Sequence, residues 1–294
     1  KELNTKLEEI SKEIEMFKND NKEQTSNIDF HENEFIKLRS FPNAHVASFY
    51  LVFHIETFHI FMMKKTNGGD FQREIDFCQK YSHRCMTRFY GFLKKRQDII
   101  GFIYEFQSNG PLSSYQRIDE IFSIITISRL FECIEYLKSN SLIHRDLKPL
   151  NILINRDNLP FVSDFETIRP VNDEQNENMT NNIGSLLYSS PEQDCGENIS
   201  YPTDIFSFGL IIYYLKEKQD MFSTYSDKEE FKIKQITNCS TNIKQIYMKC
   251  VKYDPNKRIT NDEIKNLLKD EFNSFFYYFD YLFNCIKLGN TYNS

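Results

Sequence analysis

Tryptophan is absent from the 294 residues, alanine occurs only at 44 and 47, and the first glycine is Gly68. With so few small residues, bulkier side chains are expected even where a functional site ordinarily takes alanine or glycine. The chain also lacks any apolar run near the roughly 20 residues needed to cross a bilayer, and its beginning lacks the basic-then-apolar pattern of a secretory leader. A cytoplasmic protein with no membrane partner is therefore expected. Seven cysteines, at 78, 85, 133, 195, 239, 250 and 285, form no CxxC pair and have no companion histidine spacing. Neither a zinc site nor a disulfide framework is expected from them. Basic charge is not in excess either, since 36 Lys and Arg stand against 42 Asp and Glu, a net charge of −6. That balance argues against a nucleic-acid partner, because phosphate backbones are bound by surplus cationic side chains.

Aromatic residues are what the chain has in plenty: 27 Phe and 17 Tyr within a hydrophobic share of 40%, enough for a sizeable core. Residues 1–28 are charged, with Leu3, Leu7, Ile10, Ile14 and Phe17 on a heptad seam. Two heptads are short, so a helix docking on the next domain, self-association and a coiled coil continuing upstream are all open readings. From Phe35 to Phe106 short runs of Phe, Ile, Val, Tyr and Met alternate with polar turns. Phe49 to Ile55 and Phe58 to Lys65 read as a strand pair and Asp70 to Tyr81 as a helix. After Gly110-Pro111 the period becomes helical, over Ile121 to Leu137, Thr203 to Leu215, Lys228 to Ile236, Ile243 to Val251 and Asp262 to Phe283. The polar stretch Asn172 to Asn178 reads as a loop.

The segment that carries chemistry is Ile143-His-Arg-Asp-Leu-Lys-Pro-Leu-Asn151, followed thirteen residues later by Asp164-Phe165-Glu166. It resembles the catalytic loop and metal-binding motif of the eukaryotic protein kinases, with Glu166 where that family has glycine. Gly184 to Glu192, Asp204 to Gly209 and Asp254 to Thr260 follow in the family's order, with Phe206 in place of its usual tryptophan. The loop and the Ile205 to Gly209 run further resemble the divergent tyrosine-kinase-like kinases of parasitic protists.

The resemblance implies an α+β, two-lobed protein kinase fold over residues 33–286. A small β-rich lobe with one key helix, about 33–106, would precede a larger α-helical lobe, about 110–286. It also implies ATP and Mg²⁺ as cofactors, a protein substrate and transfer of the γ-phosphate to Ser or Thr. Asp146 would accept the substrate hydroxyl proton, Lys148 would meet the transferring phosphate, and Asn151 and Asp164 would hold magnesium. Lys148 is what the serine/threonine branch carries two residues past the aspartate. His144 reads as a packed core residue, and Asp204 as the anchor of the catalytic-loop backbone. Arg258 is expected to pair with Glu192.

In the β-rich half the resemblance is looser. Pro42, Ala44 and Ala47 stand where a glycine-rich phosphate loop would have its glycines. Lys64 falls at the spacing of the ATP-binding lysine, with Lys65 as the alternative if the register slips and an ordinary strand-end lysine as the bland reading. Met62 would narrow the adenine pocket. Glu74, on the apolar stripe of its helix with Phe71 and Cys78, is the expected partner of Lys64, since a carboxylate there asks for a cation. Tyr104 would be the gatekeeper, and Glu105 to Gln107 would line the adenine edge. Thr180 is the first expectation for an activation-segment phosphate and Ser185 the second. A pseudokinase scaffold, unable to grip ATP without loop glycines, is the competing expectation.

Overall fold

Period-two alternation of phenylalanine and aliphatic side chains builds one six-stranded sheet in the first part of the chain. The computed structural model describes residues 28–41, 47–68, 71–171, 186–196, 199–237 and 239–274. The heptad seam of residues 1–27, Ala44, the Asn172 to Asn178 stretch, Thr180, Ser185 and the chain after residue 274 lie outside them. The strands are β1 (Ile28–His31), β2 (Phe35–Ser40), β3 (Ala47–His54), β4 (Ile60–Thr66), β5 (Phe89–Lys95) and β6 (Asp98–Glu105). Their order is β1-β5-β6-β4-β3-β2, with β1 parallel to β5 and the other pairs antiparallel. Between β4 and β5 runs helix α1 (Gln72–Lys80).

The register of β4 decides which lysine turns inward. Successive strand side chains point to opposite faces, so Phe61 and Met63 share one face and Met62 and Lys64 the other. Phe61 and Met63 enter a core with Phe30, Phe35, Val52, Leu93 and Ile103. Lys64 is consequently directed to the opposite face and Lys65 is not. Gly101, across from Lys65 on β6, has no room for a side chain, because a Cβ there would overlap the Lys64 carbonyl.

The described residues divide into two units. The first takes those up to Gly110 together with Leu153–Asp157 and Phe161–Glu166; the second takes the rest. The second is mainly helical: α2 (Glu120–Ser139), α3 (Pro191–Asp194), α4 (Tyr201–Glu217), α5 (Tyr225–Glu229), α6 (Thr241–Cys250) and α7 (261–274). A two-stranded sheet joins β7 (Leu142–Ile143) antiparallel to β8 (Arg169–Pro170). Helix α2 starts where the Asp119 side chain accepts a hydrogen bond from the Phe122 amide at 2.7 Å, an N-cap that satisfies one of the otherwise unpaired first-turn donors. Helix α4 is buried on nearly every side. Gly209 brings it against α6, since a Cβ there would sit 2.6 Å from Cys250 Cβ.

The α+β arrangement, a sheet-rich unit with one helix followed by a larger helical unit, is as expected. Four details are corrected. The sheet begins at Ile28, five residues before the domain start expected at 33 and inside the segment read as helix and linker. The first unit is not a continuous stretch ending near 106, because Leu153–Asp157 and Phe161–Glu166 return to it. Ala47, expected in a phosphate loop, is the first residue of β3 and buried. The helix expected over Lys228 to Ile236 is only α5, Tyr225–Glu229. Phe231 there takes a left-handed φ of 50°, which stops a right-handed helix. Lys228 of this helix is buried between Asp194, Ser189 and the Leu186 carbonyl.

Candidate active site

In the first unit one amine gathers three carboxylates. Lys64 is 3% exposed, and its Nζ donates to Glu74 Oε2 at 2.7 Å and to Glu166 Oε2 at 3.4 Å. Asp164 Oδ1 stands 3.8 Å away. Burial pulls the amine toward its neutral form, but Glu74, Asp164 and Glu166 overcome that and raise its pKa, so Lys64 stays charged. Burial pushes the Glu74 carboxyl up, opposed by Lys64 and the Tyr104 hydroxyl. Asp164 reaches this place because its segment is tied to the sheet-rich unit: the Thr87 amide donates to the Val162 carbonyl and the Val162 amide to the Cys85 carbonyl, each at 2.8 Å. Asp164 itself takes a left-handed φ of 66°, and Phe165 stacks near Phe77 with ring centroids 4.9 Å apart.

Lys65, the alternative, instead meets Glu32 at 2.7 Å, partly exposed. Met62 is half-buried on β4, in register with Tyr104 of β6. Glu105 accepts from Gln107 Nε2 at 3.0 Å, and the Gln107 amide oxygen is buried.

In the second unit a short loop assembles Asp146, Lys148 and Asn151. Lys148 Nζ donates to Asp146 Oδ2 at 2.6 Å. Asn151 Nδ2 donates to the same oxygen at 3.0 Å and to the Asp146 carbonyl at 2.9 Å, which orients its amide oxygen away from Asp146. The spacing explains this meeting: the chain turns through the helical turn Pro149–Asn151, so residues two and five beyond Asp146 come back to it. The loop is clamped from below by Asp204 of α4, whose carboxylate accepts from the His144 amide at 2.7 Å and the Arg145 amide at 2.9 Å. Arg145 has a φ of 72°, a strained value that these bonds hold in place. Burial raises the Asp204 pKa, against the pull of the His144 and Arg145 groups. Gln193 of α3 adds a bond to the Arg145 carbonyl at 2.9 Å. Arg258 and Glu192 form the bidentate pair that was expected, at 2.6 and 2.6 Å.

Two features were not read from the sequence. The Tyr104 hydroxyl donates to Glu74 Oε1 at 2.8 Å, and Cys78 Sγ lies 3.3 Å from the same hydroxyl. The signal was there in part, since Cys78 is four residues past Glu74 and therefore on the same helix face.

The model of the protein kinase domain family matches residues 45–272. Among curated proteins, the chain is 28% identical to an Aurora kinase of Debaryomyces hansenii over 207 residues, covering 67% of this chain and 50% of that protein. It is 26% identical to the Aurora kinase of Saccharomyces cerevisiae, over 66% of this chain and 55% of that protein. The probable serine/threonine-protein kinase mkcF of Dictyostelium discoideum is 29% identical over 65% of this chain and 29% of its own length. The chain thus spans about half the length, or less, of these relatives.

Proposed function

Since the chain belongs to the protein kinase domain family, we propose that it is a serine/threonine protein kinase, transferring the γ-phosphate of ATP to a hydroxyl of a protein substrate. The observation that carries the reading is the buried Lys64–Glu74 pair at 2.7 Å. Burying a charged amine is unfavourable unless it is paired, and an ordinary strand-end lysine would lie at the surface instead. The relatives named serine/threonine-protein kinase or Aurora kinase, and Lys148 two residues past Asp146, support the serine/threonine branch.

Phosphoryl transfer depends on positioning and on neutralising phosphate charge rather than on covalent chemistry. Lys64 meets the nucleotide phosphates and Glu74 holds its amine in place. Asp146 orients the substrate hydroxyl and accepts its proton, with its own carboxylate fixed by Lys148 and Asn151. Lys148 lies beside Asp146 as the cation for the transferring phosphoryl group. Met62, Ala44, Glu105 and Gln107 belong to the nucleotide site in this reading. The oxygen donors Asp164 and Asn151 are of the hard type that suits magnesium: Asp164 is turned into the carboxylate cluster by its left-handed backbone, and Asn151 has its nitrogen committed to Asp146. Magnesium held by these donor types would screen the phosphate charges.

Likeness to the tyrosine-kinase-like kinases of parasitic protists is carried by the Pro149-Leu-Asn151 loop, Asp164-Phe-Glu166 and the Ile205 to Gly209 run. A cytoplasmic location belongs to the same reading, and among the described residues no helix is long and apolar enough to cross a membrane. Self-association through the N-terminal seam and phosphorylation at Thr180 or Ser185 belong to the same reading. One observation favours a scaffold without turnover: no glycine precedes Gly68, so backbone amides lack the freedom to approach a triphosphate closely.

Radiolabelled ATP transfer by the wild-type chain beside Asp146→Asn tests the two. Loss of the proton acceptor should lower the rate by about 100-fold or more. Equal labelling of both proteins, or none from either with no rise in melting temperature on adding Mg·ATP, overturns the kinase reading in favour of the scaffold.

A further inference from the structure

The Tyr104 hydroxyl meets Glu74 on the side away from Lys64. Glu74 is 1% exposed, its Oε2 facing the Lys64 amine and its Oε1 taking the Tyr104 proton at 2.8 Å. We propose that Tyr104 is a positioning residue for the reaction: its hydroxyl locks the Glu74 carboxylate in the orientation that presents Oε2 to Lys64. The proposal rests on the reading of Lys64 as the phosphate-binding amine.

The terminal torsion of a glutamate is broad and roughly two-fold. A carboxylate held at one oxygen can swing; held at both oxygens, from two strands, it cannot. Tyr104 lies on β6 and Lys64 on the adjacent β4, so the two donors sit on one rigid sheet and grip a group of α1 between them. The same hydroxyl lies 3.3 Å from Cys78 Sγ. With its proton directed at Glu74, it accepts from the thiol, so a single oxygen bridges residues four apart on α1 and fixes the helix in rotation as well as in place. Burial, with Cys78 and Glu74 alongside, pushes the phenol pKa well above its ordinary value. The hydroxyl therefore remains a donor throughout the neutral range.

The ring cannot drift, because it is boxed by other aromatics. Phe102 stacks on it at 6.0 Å and 16°, Phe89 meets it at 5.7 Å, and Phe165 approaches edge-on at 6.1 Å. Phe165 neighbours Asp164, so the tyrosine that holds Glu74 also packs on the segment that brings the second carboxylate to Lys64. A residue that merely filled space between strand and helix would need the ring and not the oxygen.

The test uses the full chain as Tyr104→Phe, Glu74→Ala and the double variant, with steady-state kinetics and amide hydrogen exchange. Phenylalanine keeps the ring and deletes one bond to a charged acceptor, so kcat/KM for ATP should fall about tenfold. KM for the protein substrate should stay unchanged. Exchange should quicken in residues 72–80 and not in 120–139. On the Glu74→Ala background the same change should add less than about twofold, as expected for two groups acting through one contact. A Tyr104→Phe protein with wild-type kinetics and wild-type exchange overturns the proposal, and so does a full, additive loss on top of Glu74→Ala. If the wild-type chain transfers no phosphate, the kinase reading fails by itself and exchange decides the positioning: faster exchange over 72–80 upholds it, unchanged protection overturns it.

Discussion

Each unit buries a cation, and the two are treated oppositely. Arg258 in the helical unit is saturated: two bonds to Glu192 at 2.6 Å, and further bonds to the carbonyls of Pro202 at 2.8 Å, Lys252 at 2.9 Å and Tyr253 at 3.2 Å. Its guanidinium also lies over the Phe206 ring, 4.9 Å from the centroid. Charge is balanced there, one against one. Lys64 in the sheet-rich unit faces Glu74, Glu166 and Asp164 within 4 Å, so negative charge is in surplus. A balanced, fully bonded pair holds a fold together. An unbalanced one attracts a further cation, which is what a metal–nucleotide site requires.

Removing the saturated cation should produce the largest change in stability. Arg258→Ala leaves Glu192 buried and unpaired, and chemical denaturation should show a loss of about 3–5 kcal/mol. A loss under 1 kcal/mol would erase the contrast between the two pairs.

The acid limb of the stability curve comes next. Burial pushes the Glu192 carboxyl up, but hydrogen bonds and charge from Arg258 outweigh it and leave the pKa below the ordinary 4.5. A folded pKa below the unfolded one means stability that is present above pH 4.5 and is lost as the pH falls through the folded value. Melting temperatures measured from pH 7 downward should therefore fall with acid in the wild type. Glu192→Gln should start lower and lose less over the same window; parallel curves would remove Glu192 from the account.

A smaller effect is expected at the unbalanced cluster. Glu166→Gly takes one negative charge away from Lys64, and ATP binding measured in EDTA should tighten roughly fivefold. With magnesium present the difference should shrink, because the ion already compensates the surplus. No change in either condition would mean that Glu166 turns away once nucleotide arrives.

The smallest effect belongs to the exposed pair Lys94–Asp29 at 2.7 Å. Asp29→Ala should shift stability by no more than about 1 kcal/mol, since solvent screens surface pairs and their side chains lose freedom in forming them. A larger loss would show that β1, not the ion pair, is what the substitution disturbs.

The catalytic-loop cluster was legible because it is local. Asp146, Lys148 and Asn151 lie within six residues, and one helical turn returns the chain on itself. Lys64 was legible through the spacing that the kinase resemblance implies, with Lys65 left open, and Glu74 through the apolar stripe of its helix. Asp204 and the Glu192–Arg258 pair were found through the order of motifs and the need of a buried charge for a partner. The first strand was not legible. Ile28–His31 is a short, mostly exposed segment whose partner Gly91–Lys94 lies some sixty residues on. Its one sequence signal is Gly91, where any Cβ would collide with the Ile28 carbonyl. The burial of Lys228 was not legible either, because only the fold brings Asp194 and the Leu186 carbonyl to it.

By itself the chain's order of residues determined which groups can do chemistry, and at what spacing, because strand and helix periods are properties of a few neighbouring bonds. Tertiary structure alone decided that Tyr104 would grip Glu74, that Glu166 would join Asp164 at the Lys64 amine, and that the sheet would open with a parallel strand. Those meetings join residues from 30 to about 100 positions apart, and their partners are chosen by packing, which no local repeat encodes.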